Sequence, residues 1–186
     1  MAHYIIFGDS IGCGEGDPHG GWAKLLGQKY SIKNLSIDGA TTNDYLKNFP
    51  TDIDKNLTII IALGINDSAY NHQVEHCWVI LPRFKQNLIQ LIKLARKYTQ
   101  KIIFVGPAPV DQLKVDPAPW APDLSYKNNL IKQYSETIKV ICQKEKLRFI
   151  DLFNNLRPDY IHFLDDGVHP NHAGHEMIFA MIKNNL

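Results

Sequence analysis

Short, almost wholly apolar runs alternate along this chain with longer stretches whose apolar residues recur at helical spacing. The clearest apolar run covers residues 57–63, where Thr58 is the only polar side chain. A continuous run of this kind is typical of a strand that is covered on both faces of a sheet. Other short runs, some of them with more polar residues, predict strands at residues 4–7, 32–37, 101–105 and 147–152.

Stretches with helical periodicity fill the spaces between the predicted strands. The strongest runs over residues 82–98, where Phe84, Leu88 and Leu91 lie on one face. The other predicted helices cover residues 22–30, a short segment capped by Thr41 or Thr42 and closed by Pro50, residues 123–146, and a last segment opened by Pro170. Strands that alternate with helices predict a single α/β domain over residues 1–186, with a mostly parallel sheet between layers of helices.

Five such strands commonly take the order 2-1-3-4-5, in which the first three strands are neighbours. Ser10 follows the first predicted strand, Gly39 the second and Asn66 the third. Asp166 and His169 fall in a late loop before the last helix. Because open α/β sheets bind ligands at the carboxyl ends of their strands, the pattern predicts one site built from all of these residues.

These residue types supply the parts of a serine acyl-transfer site. Ser10 offers a nucleophilic hydroxyl, and His169 is a base of the type that titrates near neutrality. Asp166 precedes His169 by three residues, so a short turn can bring its carboxylate beside the imidazole. The backbone N–H groups of Ser10 and Gly39 and the side-chain amide of Asn66 are candidates for an oxyanion hole.

The composition argues against several other classes of protein. A formal net charge of +1 over 186 residues gives no basic surface for nucleic acid, so no nucleic-acid partner is expected. The apolar runs are too short for stable insertion into a membrane. Three cysteines without a close pair argue against a disulfide framework. With no secretory signal visible after Met1, the expected location is cytoplasmic.

Motifs in the chain resemble, in order, the four sequence blocks of the GDSL (SGNH) hydrolases: Gly8-Asp9-Ser10, the glycine of Asp38-Gly39-Ala40, Gly64-Ile65-Asn66-Asp67, and Asp166-Gly167-Val168-His169-Pro170. The resemblance covers residues 5–175, although Ile11 replaces the leucine usual after the serine. It implies a flavodoxin-like three-layer α/β/α fold and hydrolysis of a small-molecule carboxylic ester through an acyl-enzyme on Ser10. It also implies no metal or organic cofactor, and its spacing selects Asp166 rather than Asp165 as the orienting acid.

The sequence specifies the type of reaction more closely than it specifies the substrate. The modest size of the chain and the lack of a long insertion favour small or short-chain acyl esters, although lysophospholipids, thioesters and acetylated sugars all fall within the family's range. Trp120 and Pro109 follow the fourth predicted strand on the same edge of the sheet. We therefore predict that these two residues face the substrate.

Two interpretations from other functional classes stay open at this point. One is a noncatalytic module that uses the same edge of the sheet to hold an acyl or sugar group. The other is a flavin or nucleotide binder, for which the glycines after Ser10 lack the Gly-Lys-Ser/Thr ending of a phosphate-binding loop.

Histidine spacing raises a further alternative, a metal site. His169, His172 and His175 recur every three residues, and His72 and His76 lie four apart. No carboxylate or cysteine completes a convincing set around either group, so the sequence predicts no metal.

Overall fold

A five-stranded parallel sheet forms the centre of the computed structural model, which describes residues 3–55 and 57–186. Its strands are β1 (His3–Gly8), β2 (Ser31–Asn34), β3 (Thr58–Ala62), β4 (Ile102–Val105) and β5 (Arg148–Ile150). They are hydrogen-bonded in the order β2-β1-β3-β4-β5, and every pairing is parallel. The predicted fold class and strand order are confirmed.

Helices connect the strands and cover both faces of the sheet. They are α1 (Ser10–Cys13), α2 (Gly21–Gly27), α3 (Thr42–Lys47), α4 (Leu81–Ala95), α5 (Gln112–Val115), α6 (Asn128–Glu145), α7 (Leu152–Asn155) and α8 (His172–Lys183), with a 3-10 helix at Pro158–Phe163. Among the described residues, no helix is both long enough and apolar enough to cross a lipid bilayer.

The two faces of the sheet carry separate hydrophobic cores because side chains alternate along each strand. In β1, Tyr4 and Ile6 pack with Trp22 of α2 and with α8, whereas Ile5 and Phe7 pack with α3, α4 and α6. The interior strands of the sheet therefore carry apolar side chains on both faces, which explains the continuous apolar runs in the sequence. The three layers hold the carboxyl ends of β1, β2 and β3 side by side.

The long helix α6 starts later than the periodicity predicts, at Asn128 rather than at residue 123. Leu124–Ser125 instead pairs with Tyr70–Asn71, which also pairs with His76–Cys77 in a small antiparallel sheet. These strand hydrogen bonds use backbone groups that a helix would need for itself. The predicted helix is therefore confirmed from Asn128 onward and wrong for residues 123–127.

The last helix also begins differently from the prediction. Pro170 does not open it, because Pro170 forms an isolated bridge with Leu164. Asn171 caps α8 instead, and its side chain accepts a hydrogen bond from the Gly174 N–H at 3.3 Å. An Asn cap satisfies an N–H of the first turn, which a proline at that position cannot do.

Candidate active site

Ser10 is the first residue of α1, directly after β1 and the capping residue Asp9. The Asp9 carboxylate accepts a hydrogen bond from the Ile11 N–H at 3.1 Å and so holds the turn. Gly8 allows this close approach of helix and strand, since a Cβ there would lie 2.6 Å from Ser36 Oγ and 3.3 Å from the Gly12 Cα. Burial raises the pKa of the Asp9 carboxyl group to about 7. The hydrogen bonds that this group accepts from backbone N–H groups act in the opposite direction.

His169 and Asp166 are presented by a tight turn before α8. Gly167 takes a φ of +96°, a left-handed conformation that favours glycine, and a Cβ there would lie 2.7 Å from a Val115 side-chain atom. Asp166 Oδ1 accepts hydrogen bonds from the Val168 and His169 N–H groups at 2.8 and 2.7 Å. The turn therefore holds the carboxylate against the imidazole of the residue three positions later.

A continuous chain of hydrogen bonds joins these three side chains. His169 Nδ1 lies 2.6 Å from Asp166 Oδ2, and His169 Nε2 lies 2.9 Å from Ser10 Oγ. Because an ionised carboxylate only accepts hydrogen bonds, we assign the imidazole proton to Nδ1. Nε2 is then free to accept the proton of the Ser10 hydroxyl, which is the arrangement that general-base activation of a serine requires.

The pKa values of His169 and Asp166 suit a general base and the carboxylate that orients it. Burial by itself would lower the pKa of His169, but the hydrogen bond and negative charge of Asp166 outweigh it, so the pKa lies above the ordinary value of 6.5. Burial would likewise raise the pKa of Asp166, but the hydrogen bonds from His169 and Val168 hold it at about 2. Asp166 is thus ionised at every ordinary pH and stabilises a proton on His169.

Asn66 follows the end of β3 by four residues, and Gly39 follows the end of β2 by five, in the loop before α3. Asn66 Nδ2 donates to the Ala40 carbonyl at 3.1 Å, which ties the amide to the loop that contains Gly39. Gly39 adopts a φ of +67°, and a Cβ built on it would meet no atom within 4 Å, so the space beside its Cα is open. The amide of Asn66 has a second N–H for another acceptor.

Tyr126 is a residue of this site that sequence reasoning missed. It is buried, and its hydroxyl donates to Asn66 Oδ1 at 3.3 Å. This bond fixes which end of the Asn66 amide is the oxygen and directs Nδ2 toward the loop of Gly39. Tyr126 lies in the segment predicted as helix, and no motif marks it, so the sequence offered no signal for this contact.

A buried polar network supports the turn that carries Asn66. The Asp67 carboxylate accepts from the Thr42 N–H at 3.0 Å and from the Thr42 hydroxyl at 2.5 Å. Asn87 of α4 donates in turn to Thr42 Oγ1 at 2.8 Å. Burial raises the pKa of Asp67 to about 7, although its hydrogen bonds with Thr42 oppose the shift. The network therefore connects the end of β3 to α3 and α4.

The two predicted substrate-facing residues have different surroundings. The Trp120 ring is 47% exposed, and its centroid lies 6.0 Å from that of His169. Pro109 is half-buried, and none of the hydrogen bonds or ring contacts of the site within the described chain involves it. The structure thus brings Trp120 to the Ser10 site but provides no such contact for Pro109.

The histidines whose spacing suggested a metal site form hydrogen bonds with different groups. His175 is buried; its Nε2 donates to the Glu15 carbonyl at 3.0 Å, and its Nδ1 accepts from the Trp22 N–H at 3.3 Å. His72 Nε2 lies 2.7 Å from Ser125 Oγ. His175 therefore joins helix α8 to the loop after α1, as a packing residue would.

Comparison with known proteins identifies the family of the chain. A model of the GDSL-like lipase/acylhydrolase family matches residues 6–177. The chain belongs to this family. This GDSL-like hydrolase is 24% identical to the isoamyl acetate-hydrolyzing esterase 1 homolog of Bos taurus, over 95% of its own length and 78% of that protein. It is 27% identical to GDSL esterase/lipase CPRD49 of Arabidopsis thaliana, over 96% of its own length and 76% of that protein.

Solved structures show the same fold for this GDSL-like hydrolase. A lipase/acylhydrolase from Enterococcus faecalis superimposes with a TM-score of 0.77 at 22% identity, covering 99% of this chain and 94% of the other. Axe2, an acetylxylan esterase from Geobacillus stearothermophilus, gives 0.71 at 21% identity, with 99% and 93% covered. Membership of the GDSL-like lipase/acylhydrolase family identifies the protein as a carboxylic ester hydrolase.

Proposed function

We propose that this hydrolase cleaves small, short-chain carboxylic esters through an acyl-enzyme on Ser10. The observation that carries the proposal is the hydrogen-bond chain from Asp166 through His169 to Ser10, with separations of 2.6 and 2.9 Å. Such a chain activates a hydroxyl that is otherwise a weak nucleophile.

In the first half-reaction, Ser10 Oγ attacks the acyl carbon of the ester while His169 Nε2 takes the hydroxyl proton. The carbonyl oxygen becomes an oxyanion that accepts hydrogen bonds from the N–H groups of Ser10 and Gly39 and from Asn66 Nδ2. Collapse of this intermediate breaks the bond to the leaving alcohol, which receives the proton from His169. Asp166 stabilises the imidazolium without taking its proton.

Water completes the second half-reaction by the same steps. His169 takes a proton from the water, whose oxygen attacks the acyl carbon and forms a second oxyanion. When that intermediate collapses, the bond to Ser10 Oγ breaks and the proton returns to the serine, so the carboxylic acid leaves and the enzyme is restored.

The preference for small acyl groups rests on two observations. The names of the relatives from Bos taurus and Geobacillus stearothermophilus refer to isoamyl acetate and acetylxylan, and both compounds carry an acetyl group. The centroid of the half-exposed Trp120 ring lies 6.0 Å from that of His169, so the ring can serve as an apolar wall beside the substrate. A wall of this kind suits a compact acyl or alcohol group.

Ser10→Ala provides the test of this proposal. We expect turnover of p-nitrophenyl acetate to fall by at least about 10⁴-fold, because the nucleophile is lost. Labelling by a fluorophosphonate probe, followed by intact mass, should disappear in the same variant. Ser31→Ala, at an exposed serine that begins β2, is the matched control and should keep both properties.

A series of p-nitrophenyl esters then tests the acyl preference, with kcat/KM expected to fall from acetate to longer chains. If Ser10→Ala retained turnover, the mechanism would be wrong. If the wild-type protein were labelled but preferred long chains, only the substrate assignment would be wrong.

A further inference from the structure

A second cluster of ionisable side chains lies where the loop between α1 and α2 meets the start of α8. Asp17 and His19 come from the loop, and His172 is the first residue of α8. Asp17 Oδ1 lies 3.1 Å from His19 Nδ1, and Asp17 Oδ2 lies 3.0 Å from His172 Nδ1. One ligand atom from each of the three residues lies within 4.8 Å of the other two.

The Asp17 carboxylate is fixed before any ligand arrives. Its side chain has no exposed surface, and its oxygens accept hydrogen bonds from the His19 N–H at 2.9 Å and the Gly21 N–H at 3.2 Å. The carboxylate is therefore held in a rigid position, with both oxygens directed at imidazole nitrogens.

From this geometry we infer that Asp17, His19 and His172 form a binding site for a divalent transition-metal ion such as Zn²⁺. Imidazole nitrogen and carboxylate oxygen are ligands that Zn²⁺ and Co²⁺ accept. Ligand atoms at about 2.0–2.2 Å from one ion lie roughly 3 Å apart when they are at right angles. The two separations to Asp17 have this length but run to different oxygens, so an ion here would bind both oxygens of the carboxylate, and each imidazole must lose its Nδ1 proton and turn toward the ion.

The outer side of the cluster is open and carries a supporting carboxylate. The side chains of His19 and His172 are 71% and 44% exposed, so an ion and its water ligands can enter. His172 Nε2 lies 3.7 Å from Glu176 Oε1, one turn further along α8. Metal-ligating histidines commonly donate their second ring N–H to such a carboxylate, which orients the ring.

An ion at this place would join two segments that carry the Ser10 site. Asp17 and His19 follow Ser10 through α1, and His172 follows His169 by three residues. The ion therefore acts as a clamp between the segment of the nucleophile and the segment of the base. It contributes stability and takes no part in the acyl transfer.

Titration of the tag-free, chelator-treated protein with Co²⁺ tests the inference, with the visible d–d absorption of bound Co²⁺ as the signal. We expect one ion per chain, displaced by Zn²⁺, and a melting temperature that rises with Zn²⁺ concentration. His19→Ala and His172→Ala should each weaken binding by at least about 100-fold, and Glu176→Gln by about 10-fold. His162→Ala, at an exposed histidine elsewhere, should bind as the wild type does.

Turnover of p-nitrophenyl acetate should persist after chelation, since the ion is not part of the reaction. The inference is overturned if no stoichiometric Co²⁺ spectrum appears, or if His19→Ala and His172→Ala bind Co²⁺ as tightly as the wild type. The cluster would then be a hydrogen-bonded clamp only. Circular dichroism of each variant verifies that it is folded, so that lost binding reports on the ligands.

Discussion

Single hydrogen bonds set the properties of the groups that we propose to react in this hydrolase. Asp166 raises the pKa of His169 above its ordinary value even though burial of the imidazole acts in the opposite direction. The same carboxylate selects the tautomer that leaves Nε2 free for Ser10. One acidic side chain thus controls both the charge and the orientation of the proposed base, His169.

Asp166→Asn should lower kcat/KM by about 10⁴-fold, because an amide can donate to Nδ1 and favour the wrong tautomer. In the wild type, activity requires neutral His169, so kcat/KM should rise with pH through a midpoint above 6.5. Loss of the carboxylate removes the upward shift, so the midpoint should move to lower pH. The pH–rate profile with p-nitrophenyl acetate measures both effects.

Asp165→Asn is the matched control for that variant. Asp165 is the neighbouring carboxylate, and the hydrogen bond that its side chain makes to Asn171 is long, at 3.3 Å. The pH–rate profile of Asp165→Asn should coincide with that of the wild type. A large loss in Asp165→Asn with little change in Asp166→Asn would reverse the assignment of the orienting acid.

We predict that Tyr126 acts on the reaction through Asn66, as a positioning residue. Tyr126→Phe removes the hydroxyl that fixes Asn66 Oδ1, so we expect kcat to fall by about 3- to 10-fold with KM unchanged, as for one neutral hydrogen bond. Steady-state kinetics separates the two constants. Tyr98→Phe, whose hydroxyl makes a long exposed bond to the Thr51 carbonyl, is the control. An equal loss in both variants would argue against a specific role for Tyr126.

Among the structural elements, α3 is too short to be held in place by its own hydrogen bonds. Its first residue, Thr42, is held by Asp67 at the end of β3, and Tyr45 reaches back to β1 by donating to the Gly8 carbonyl at 2.8 Å. The Gly39 loop precedes this helix directly. Contacts of α3 with its neighbours therefore position one side of the candidate oxyanion hole.

Asp67→Ala should reduce the free energy of unfolding by about 2–4 kcal/mol, because it leaves the buried N–H and hydroxyl of Thr42 without their acceptor. Urea denaturation measures the change. Asp159→Ala removes an exposed carboxylate that pairs with Arg157 and should change stability by less than about 0.5 kcal/mol. Equal effects in the two variants would mean that the buried network adds no stability.

On the scale of the whole molecule, burial of two carboxyl groups makes stability depend on pH. Burial raises the pKa values of Asp9 and Asp67 from 3.8 to about 7, so the folded protein binds more protons than the unfolded chain between these values. Stability must then fall as pH rises through this range. His169, with its raised pKa, acts in the same direction near neutrality, whereas buried His175, with its lowered pKa, opposes it.

The urea midpoint should therefore decrease from about pH 5 to pH 8. Asp67→Asn cannot ionise and keeps a carbonyl oxygen for Thr42, so its midpoint should decrease less over the same range. A wild-type midpoint that increases with pH would show that the two carboxyl groups are ionised in the folded protein throughout.

The elements of the fold were predictable because hydrophobic periodicity is a local property. Residues 57–63 had to be covered on both faces, and that requirement led to a three-layer arrangement with β3 in the interior. The start of α6 was not predictable in this way. Leu124–Ser125 is compatible with a helix by its own preferences, and pairing with the distant Tyr70–Asn71 decides otherwise.

Sequence reasoning was sufficient to predict the alternation of strands and helices, the edge of the sheet at which the candidate site lies, and the motifs of Ser10, Asn66, Asp166 and His169. It could not predict that Tyr126 contacts Asn66, 60 positions away, or that His172 contacts Asp17, 155 positions away. The physical reason is that strands and helices follow from the spacing of neighbouring residues. Contacts between loops depend on the paths that the packed layers impose on them.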